Sequence, residues 1–525
     1  MKKRFHTMRW LLLSVACLSA CTGNYEHINT PPYDATEEDM TADDYKIQGA
    51  LTSMQGWVVP FAEHDFQFVD VLLGATLGGY LAEHKGWTEK ISTYNPTYDW
   101  TEVAFKNIVS GIFIAHTQLR GATDDPVPLA VAEIVKVAAL HRVTDIYGPI
   151  PYSQVGHNGE LTAPYDAQKS IYEQMFAALD KAVATLTAHR AEALNPKADR
   201  IFGGDLTGWI RYANSLKLRL AVRTVYADPE GARRRAEEAV LHEVGVMTDN
   251  AHNATAVHPV QNLYFLLTQQ WGDYRAAADI VSCMNGYDDP RRERYFALST
   301  FTAADGAGIV NGYYGLRRGI KGSDASQGAG YSNMSVDKTT PMRWMNAAEV
   351  AFLRAEGALR GWSMGADAQT LYERGIALSF EEWGVANPEA YAAGTSKPGD
   401  YVDPKLGYSA SAMSTVAVRY DAADDFERNL ERIVTQKWIA CWRTTGVEAW
   451  SEFRRTGYPR LWPSPHNQSG GVIAPNAFAR RMAYPQDEYA KNPVHYREAV
   501  ATLLGGPDDM ATRVWWDCNP NTKNR

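Results

Sequence analysis

Asp424-Asp-Phe-Glu-Arg-Asn-Leu-Glu-Arg-Ile-Val-Thr-Gln-Lys-Trp-Ile-Ala-Cys-Trp-Arg443, a short turn and Val447-Glu-Ala-Trp-Ser-Glu-Phe-Arg-Arg-Thr-Gly-Tyr-Pro459 form the stretch that decides the fold. Leu430, Ile433, Val434, Trp438, Cys441 and Trp442 recur at the helical period and make one apolar face. Asp424 or Asp425 can cap the start, and Arg443 suits the last turn of a helix that Gly446 then ends. A second helix sets Val447, Trp450 and Phe453 on one side and stops at Gly457, before Pro459. Three tryptophans on this pair can each bury roughly 150–250 Å². Gln436, Lys437, Arg454 and Arg455 are its polar residues. They suit either an anion site or the satisfaction of carbonyls and carboxylates around a helix hairpin, and no Cys, His or Ser nucleophile accompanies them.

Outward from this pair the chain continues to read as helices. Periodic segments run over 100–119, 126–147, 166–186, 205–226, 232–241, 346–360 and 367–383, with Asp205 as a cap and Asn346-Ala-Ala-Glu349 in the form of a capping box. Gly- and Pro-containing turns join them in pairs, and Ala355, Gly357, Ala358 and Ala377 allow close helix contact. The expectation is an all-α fold of tetratricopeptide-like hairpins. Long irregular stretches rich in Gly, Pro, Tyr, Trp and Asn lie over 56–99, 252–340, 387–421 and 462–490. Loops of such length in a folded domain carry function.

The N-terminus reads as a targeting segment. Lys2, Lys3, Arg4 and Arg9 precede a short apolar run from Trp10 to Leu18, and Leu18-Ser-Ala-Cys21 has the form of a bacterial lipobox. Residues 1–20 are then a lipoprotein signal peptide, Cys21 carries the lipid, 21–44 is a tether and 45–525 is the ligand-binding domain. No other stretch reaches the ~18 apolar residues of a transmembrane helix. Cleavage lowers Lys+Arg from 52 to 48 against 61 acids, a charge of about −13 that disfavours nucleic acid. The scattered Cys283, Cys441 and Cys518 are no disulfide framework.

Several motifs now carry a resemblance. They are Val143-Thr-Asp-Ile-Tyr-Gly-Pro-Ile-Pro-Tyr-Ser153, the 204–223 helix ending Leu-Lys-Leu-Arg-Leu-Ala-Val-Arg223, and Tyr287-Asp-Asp-Pro-Arg291. With them go Ala348-Glu-Val-Ala-Phe-Leu-Arg-Ala-Glu356, Thr435-Gln-Lys-Trp438 with Arg454-Arg-Thr-Gly-Tyr-Pro459, Arg480-Arg-Met-Ala-Tyr-Pro485 and Val514-Trp-Trp-Asp517. In order, over nearly all of the mature chain, they resemble the SusD/RagB family of Bacteroidetes nutrient-binding outer-membrane lipoproteins. The resemblance implies a SusD-like fold and a palmitate-bearing anchor facing the cell exterior. It also implies a SusC-like TonB-dependent transporter as partner, to which captured oligosaccharide or peptide is delivered. The acidic run that often follows the lipidated cysteine in displayed members is missing: Cys21-Thr-Gly-Asn-Tyr-Glu26 holds one acid.

No catalytic constellation stands out, so the expectation is a binding protein without cofactor or metal. Gly361-Trp-Ser-Met-Gly365 fits the nucleophile-elbow pattern but joins two helices, where the elbow needs a strand before it. Asp288-Asp289 reads as a turn before Pro290 more readily than as a cation site. A lipid-anchored glycan hydrolase and a helical-repeat protein scaffold are the alternatives. Sugar rings stack on aromatic faces while polar groups hold their hydroxyls, a mixture that two loop regions supply. The candidate ligand residues are Trp87, Tyr94 and Trp100 in the first, and Trp271, Tyr274, Tyr313 and Tyr314 in the second. Trp87 and Trp271 lead, since both lie outside a helical stripe.

Overall fold

In the computed structural model, which describes residues 42–157, 162–301 and 312–522, the deciding pair forms helices Phe426–Ala440 and Gly446–Thr456. Asp425 is the cap: its carboxylate accepts the Arg428 backbone N–H at 2.8 Å. The turn is displaced from its expected place. The first helix ends at Ala440, Arg443 takes a left-handed φ of 62°, and Gly446 opens the second helix rather than closing the first. The cause is a backbone contact. A Cβ on Gly446 would lie 2.1 Å from the Ala75 nitrogen, and one on Gly74 would lie 2.4 Å from the Val447 nitrogen. The two glycines let the second helix rest directly on the segment Gln67–Ala75. Gly457 closes that helix at φ 79°, a left-handed value that glycine adopts without strain.

The other helices form where the caps and periodicity place them. Asp125, Asp205, Asn346 and Asp367 cap Pro126–Tyr147, Leu206–Arg223, Ala347–Leu359 and Ala368–Glu382 through side-chain oxygens. The capping box at Asn346 is half formed: Asn346 accepts the Glu349 N–H, but the Glu349 carboxylate pairs with Arg219 instead of reaching back. Val109–Ala122 packs on Pro126–Tyr147, which packs on Gln168–Ala188; Leu206–Arg223 packs on Pro229–Leu241, and Ala347–Leu359 on Ala368–Glu382. This is the expected run of tetratricopeptide-like hairpins. Close approach in the last pair falls on Gly375, where a Cβ would meet the Phe352 ring at 2.7 Å.

Two stretches read as irregular hold structure. Residues 56–99 contain Glu63–Phe66 continuing as a π-helix over Gln67–Ala75, and 252–340 contain Leu266–Gln270 and the helix Ala278–Gly286. From Val69 to Ala75 the segment is buried on every side, so no single apolar stripe marks it. Among the described residues four short strands complete the architecture: β1 (Leu81–Glu83), β2 (Ala254–Ala256), β3 (Tyr274–Ala276) and β4 (Met342–Met345). β1 pairs antiparallel with β3, Glu83 opposite Tyr274, and β2 with β4. The chain divides into two units, 1–47 and 48–525, and the second holds all of these contacts.

The polar residues of the central pair find their partners within the protein. Lys437 Nζ lies 2.6 Å from Glu452, and Arg455 donates to Glu356 at 2.6 Å and to Glu452 at 2.7 Å. Arg219 donates to Glu349 at 2.7 Å and Arg223 to Glu448 at 2.5 Å. Gln436 accepts from Arg291, and Arg454 donates to the Asp145 and Arg480 carbonyls. All of these side chains are buried. Burial works against the Glu452 charge, but Arg455, Lys437 and Arg223 outweigh it and hold the carboxyl well below its ordinary value. This is a charged hub under the helix pair, not an open anion site.

Candidate functional site

Six rings from three separate segments form one contiguous strip. Trp271 lies 5.7 Å from His64, His64 6.3 Å from Phe68, and Phe68 6.2 Å from Trp100. Trp100 meets Trp87 edge to face at 5.2 Å, and Trp87 reaches Tyr274 at 6.3 Å. These separations are those of interacting aromatic pairs. His64 is exposed; Phe68, Trp87, Trp100 and Trp271 are half-buried. Half-exposed rings in contact with one another offer apolar surface to a ligand.

Local structure explains the assembly. His64 and Phe68, four residues apart across the junction of Glu63–Phe66 with the π-helix, share a helix face. The β1–β3 ladder joins the other two segments: Tyr274 is opposite Glu83, and the chain turns from Glu83 into Trp87. Gly272, at φ 66°, makes the bend that separates Trp271 from β3. Trp100 lies in the short helix Tyr98–Thr101.

Polar groups flank the strip. The Gln67 amide donates to Asp273 and to the Tyr274 hydroxyl, each at 3.1 Å, and Lys85 Nζ lies 3.6 Å from the other Asp273 oxygen. Burial raises the Asp273 pKa, and Lys85 and Gln67 only partly offset it. An ionised carboxylate has about four acceptor positions, so Asp273 keeps acceptor capacity next to Trp271. Gln270 accepts from Gln261 on the other side.

The structure thus brings together four of the seven candidate rings: Trp87, Trp100, Trp271 and Tyr274. Tyr274 is fully buried and serves as the backing of Trp87. Tyr94 stands apart, 5% exposed with a left-handed φ of 62°, and burial pushes its hydroxyl up to about 12. Tyr313 and Tyr314 line a different recess, with Asn285 and Val402. His64 and Phe68 were not legible as site residues, because their stretch read as loop and the helix junction that sets them on one face gives no stripe in the sequence. Cys21 lies outside the described residues. Asp289 forms a fully buried ion pair with Arg291 at 2.6 Å, which is the structural use of the Asp288-Asp289 turn. Ser363 sits between two helices, its backbone N–H donated to Glu237. Among the described residues no cluster of three His, Cys, Asp or Glu could hold a metal, and no helix is long and apolar enough to cross a membrane.

Helix hairpins that carry irregular aromatic loops place the chain in the class of helical-repeat proteins. A family model described as SusD-like, the SusD and RagB outer membrane lipoproteins, matches residues 27–517. The chain belongs to that family. Among solved structures it is similar to a SusD homologue from Bacteroides uniformis, at 41% identity over 90% of this chain and 100% of that one, TM-score 0.85. A homologue from Bacteroides ovatus is 40% identical over 91% and 100%, TM-score 0.87. A chitin-binding SusD homologue from Flavobacterium johnsoniae is 38% identical over 90% and 99%, TM-score 0.84. No curated protein matches the chain.

Proposed function

We propose that this lipoprotein captures oligosaccharide on the aromatic strip and delivers it to a SusC-like TonB-dependent transporter at the outer membrane, facing the cell exterior. The observation that carries the reading is the strip itself. Rings half open to solvent and flanked by Asp273, Gln67 and Lys85 combine stacking faces with placed hydrogen-bonding groups. The chitin-binding relative supports a glycan as the ligand class. Cys21 is the proposed lipid attachment point, residues 1–20 the signal peptide and 21–44 the tether. The role is binding, not turnover.

Calorimetry of the protein against a panel of neutral oligosaccharides and peptides, with chitotetraose among them, tests the ligand class. Binding of an oligosaccharide at a site whose affinity falls by about 30-fold or more in Trp87→Ala with Trp271→Ala is the expected result. Retained affinity in that variant would move the site elsewhere, and release of reducing ends by the purified protein would favour a hydrolase. Cys21→Ala should leave the membrane fraction, and co-purification from outer membranes without a TonB-dependent transporter would break the partner assignment.

A further inference from the structure

The recess that holds Tyr313 and Tyr314 is separate from the strip in its residues and is built as a site of its own. Its volume is about 340 Å³, and Ser282, Asn285, Tyr313, Tyr314, Asp400 and Val402 are among the residues that line it. That lies at the small end of ligand pockets, which run from about 300 Å³. The walls are pinned by glycine contacts. A Cβ on Gly286 would lie 2.0 Å from the Gly399 nitrogen, and one on Gly315 would lie 2.4 Å from the Ala277 carbonyl oxygen. The 281–286 wall is thereby pressed on the 399 wall, and the tyrosine-bearing chain on the entry to the helix Ala278–Gly286. Tyr314 is held further by Ser332, which exchanges hydrogen bonds with its backbone N–H and carbonyl at 3.0 and 2.8 Å.

Both tyrosines are half-buried, Asp400 is exposed and Val402 is 65% exposed. Polar capacity is left unused around them. Asp400 accepts the Ala412 N–H through one carboxylate oxygen, and its other oxygen has no protein partner among the described residues. Asn285 donates once, to the Tyr313 carbonyl at 2.8 Å. The Arg292 guanidinium lies 5.9 Å from the Tyr313 ring centre and touches Asn285 Oδ1 at 3.5 Å, so it backs the ring without lining the recess. A hydroxyl-bearing ligand against Tyr313 meets the second amide hydrogen of Asn285 and the free Asp400 oxygen.

We infer that this recess is a second saccharide-binding site, sized for a mono- or disaccharide unit and distinct from the strip. Tyr313 supplies the stacking surface, and Ser282, Asn285 and Asp400 hold the hydroxyls. Rigid walls keep the ordering cost of binding low. The inference rests on the oligosaccharide reading of the strip but uses other residues, so the two separate by mutation.

The test is calorimetry with N,N′-diacetylchitobiose and with maltose, on four proteins: wild type, Trp87→Ala with Trp271→Ala, Tyr313→Ala, and Asn285→Ala. Two sites per chain for one of the probes in the wild type are expected, with one site left in the strip variant. Tyr313→Ala and Asn285→Ala should each remove the other site, with a loss of at least tenfold in its affinity. Circular dichroism melts identify any variant that fails to fold, and Tyr313→Phe, which keeps the ring, should retain binding. One site per chain in the wild type, unaffected by Tyr313→Ala and Asn285→Ala, overturns the recess and leaves the strip standing. Two sites that survive in the strip variant overturn the strip instead. No binding of either probe overturns the recess as a site for these sugars.

Discussion

The charged hub beneath the 426–456 helix pair and the aromatic strip differ in how strictly their surroundings dictate residue identity. Arg455, Glu452, Glu356, Arg219, Glu349, Arg223 and Glu448 are buried, and each answers another at hydrogen-bond distance. An unpaired charge there has no water to turn to, so each partner specifies the next. Apart from Tyr274, which backs Trp87, the rings of the strip have solvent on one side. Those rings can be exchanged without leaving a buried charge unpaired. The hub therefore holds the fold to one arrangement, and the strip is free to be shaped for its ligand.

The largest effect expected from breaking this contrast is at the hub. Arg455→Ala leaves Glu356 and Glu452 buried without their main cation and should cost about 3–5 kcal/mol, the range for a broken buried pair. Urea denaturation reads it directly. Loss of less than about 1 kcal/mol would place the hub among dispensable ion pairs. Acid sharpens the same point. Burial opposes the charges of Glu356, Glu448 and Glu452, and neighbouring arginines overcome it, so their folded pKa values lie below the ordinary 4.5. A depressed carboxyl stabilises the fold above its unfolded value and loses that contribution as the pH falls through its folded one. Stability should therefore hold down to pH about 4.5 and fall progressively below it, a decline that Glu452→Gln makes shallower.

The strip should show the reverse balance. Trp87→Ala with Trp271→Ala removes ring contacts of half-exposed side chains worth ~0.5–1.5 kcal/mol per aromatic pair, so the melting transition moves less than in the hub variant. Oligosaccharide affinity should fall by about 30-fold or more, the ~2 kcal/mol typical of a binding hot spot. A large loss of melting temperature with affinity intact would show that the two rings belong to the core. Phe68→Ala provides a further check, since it removes the link between His64 and Trp100 and should weaken the same ligand to a lesser degree.

The smallest effect concerns Asp273. Its pKa is raised by burial, opposite in direction to the hub carboxylates. Ionised Asp273 therefore disfavours the fold slightly, and that cost disappears as the pH falls through its raised value towards 3.8. Asp273→Asn should leave stability within about 0.5 kcal/mol of the wild type at pH 7, while ligand affinity drops because an acceptor is lost. A destabilised Asp273→Asn with normal affinity would assign Asp273 to the fold with Lys85 and Gln67, and not to the ligand.

Helix identity, hairpin organisation and family were readable along the chain because their causes are local. Apolar spacing in 426–442, caps at Asp205, Asn346 and Asp425, and Gly457 at φ 79° act within a few residues. Individual rings of the site, Trp87 and Trp271 among them, could be nominated from loop composition. Their assembly could not. Gln67 and Asp273 stand 206 positions apart, and the β1–β3 ladder that unites their segments is three residues long on each side, too short for an alternation signal. The π-helix that presents Phe68 is apolar through its C-terminal part and shows no stripe, so the segment read as loop. Gly446 changed role for the same kind of reason: its neighbours in sequence suggest a helix stop, while contact with Gly74 makes it the start of the next helix. Local chemistry thus determined which elements form. Which rings face a ligand, and which polar residues disappear into the hub, was decided by packing between segments far apart in the chain, since burial and pairing belong to the folded whole.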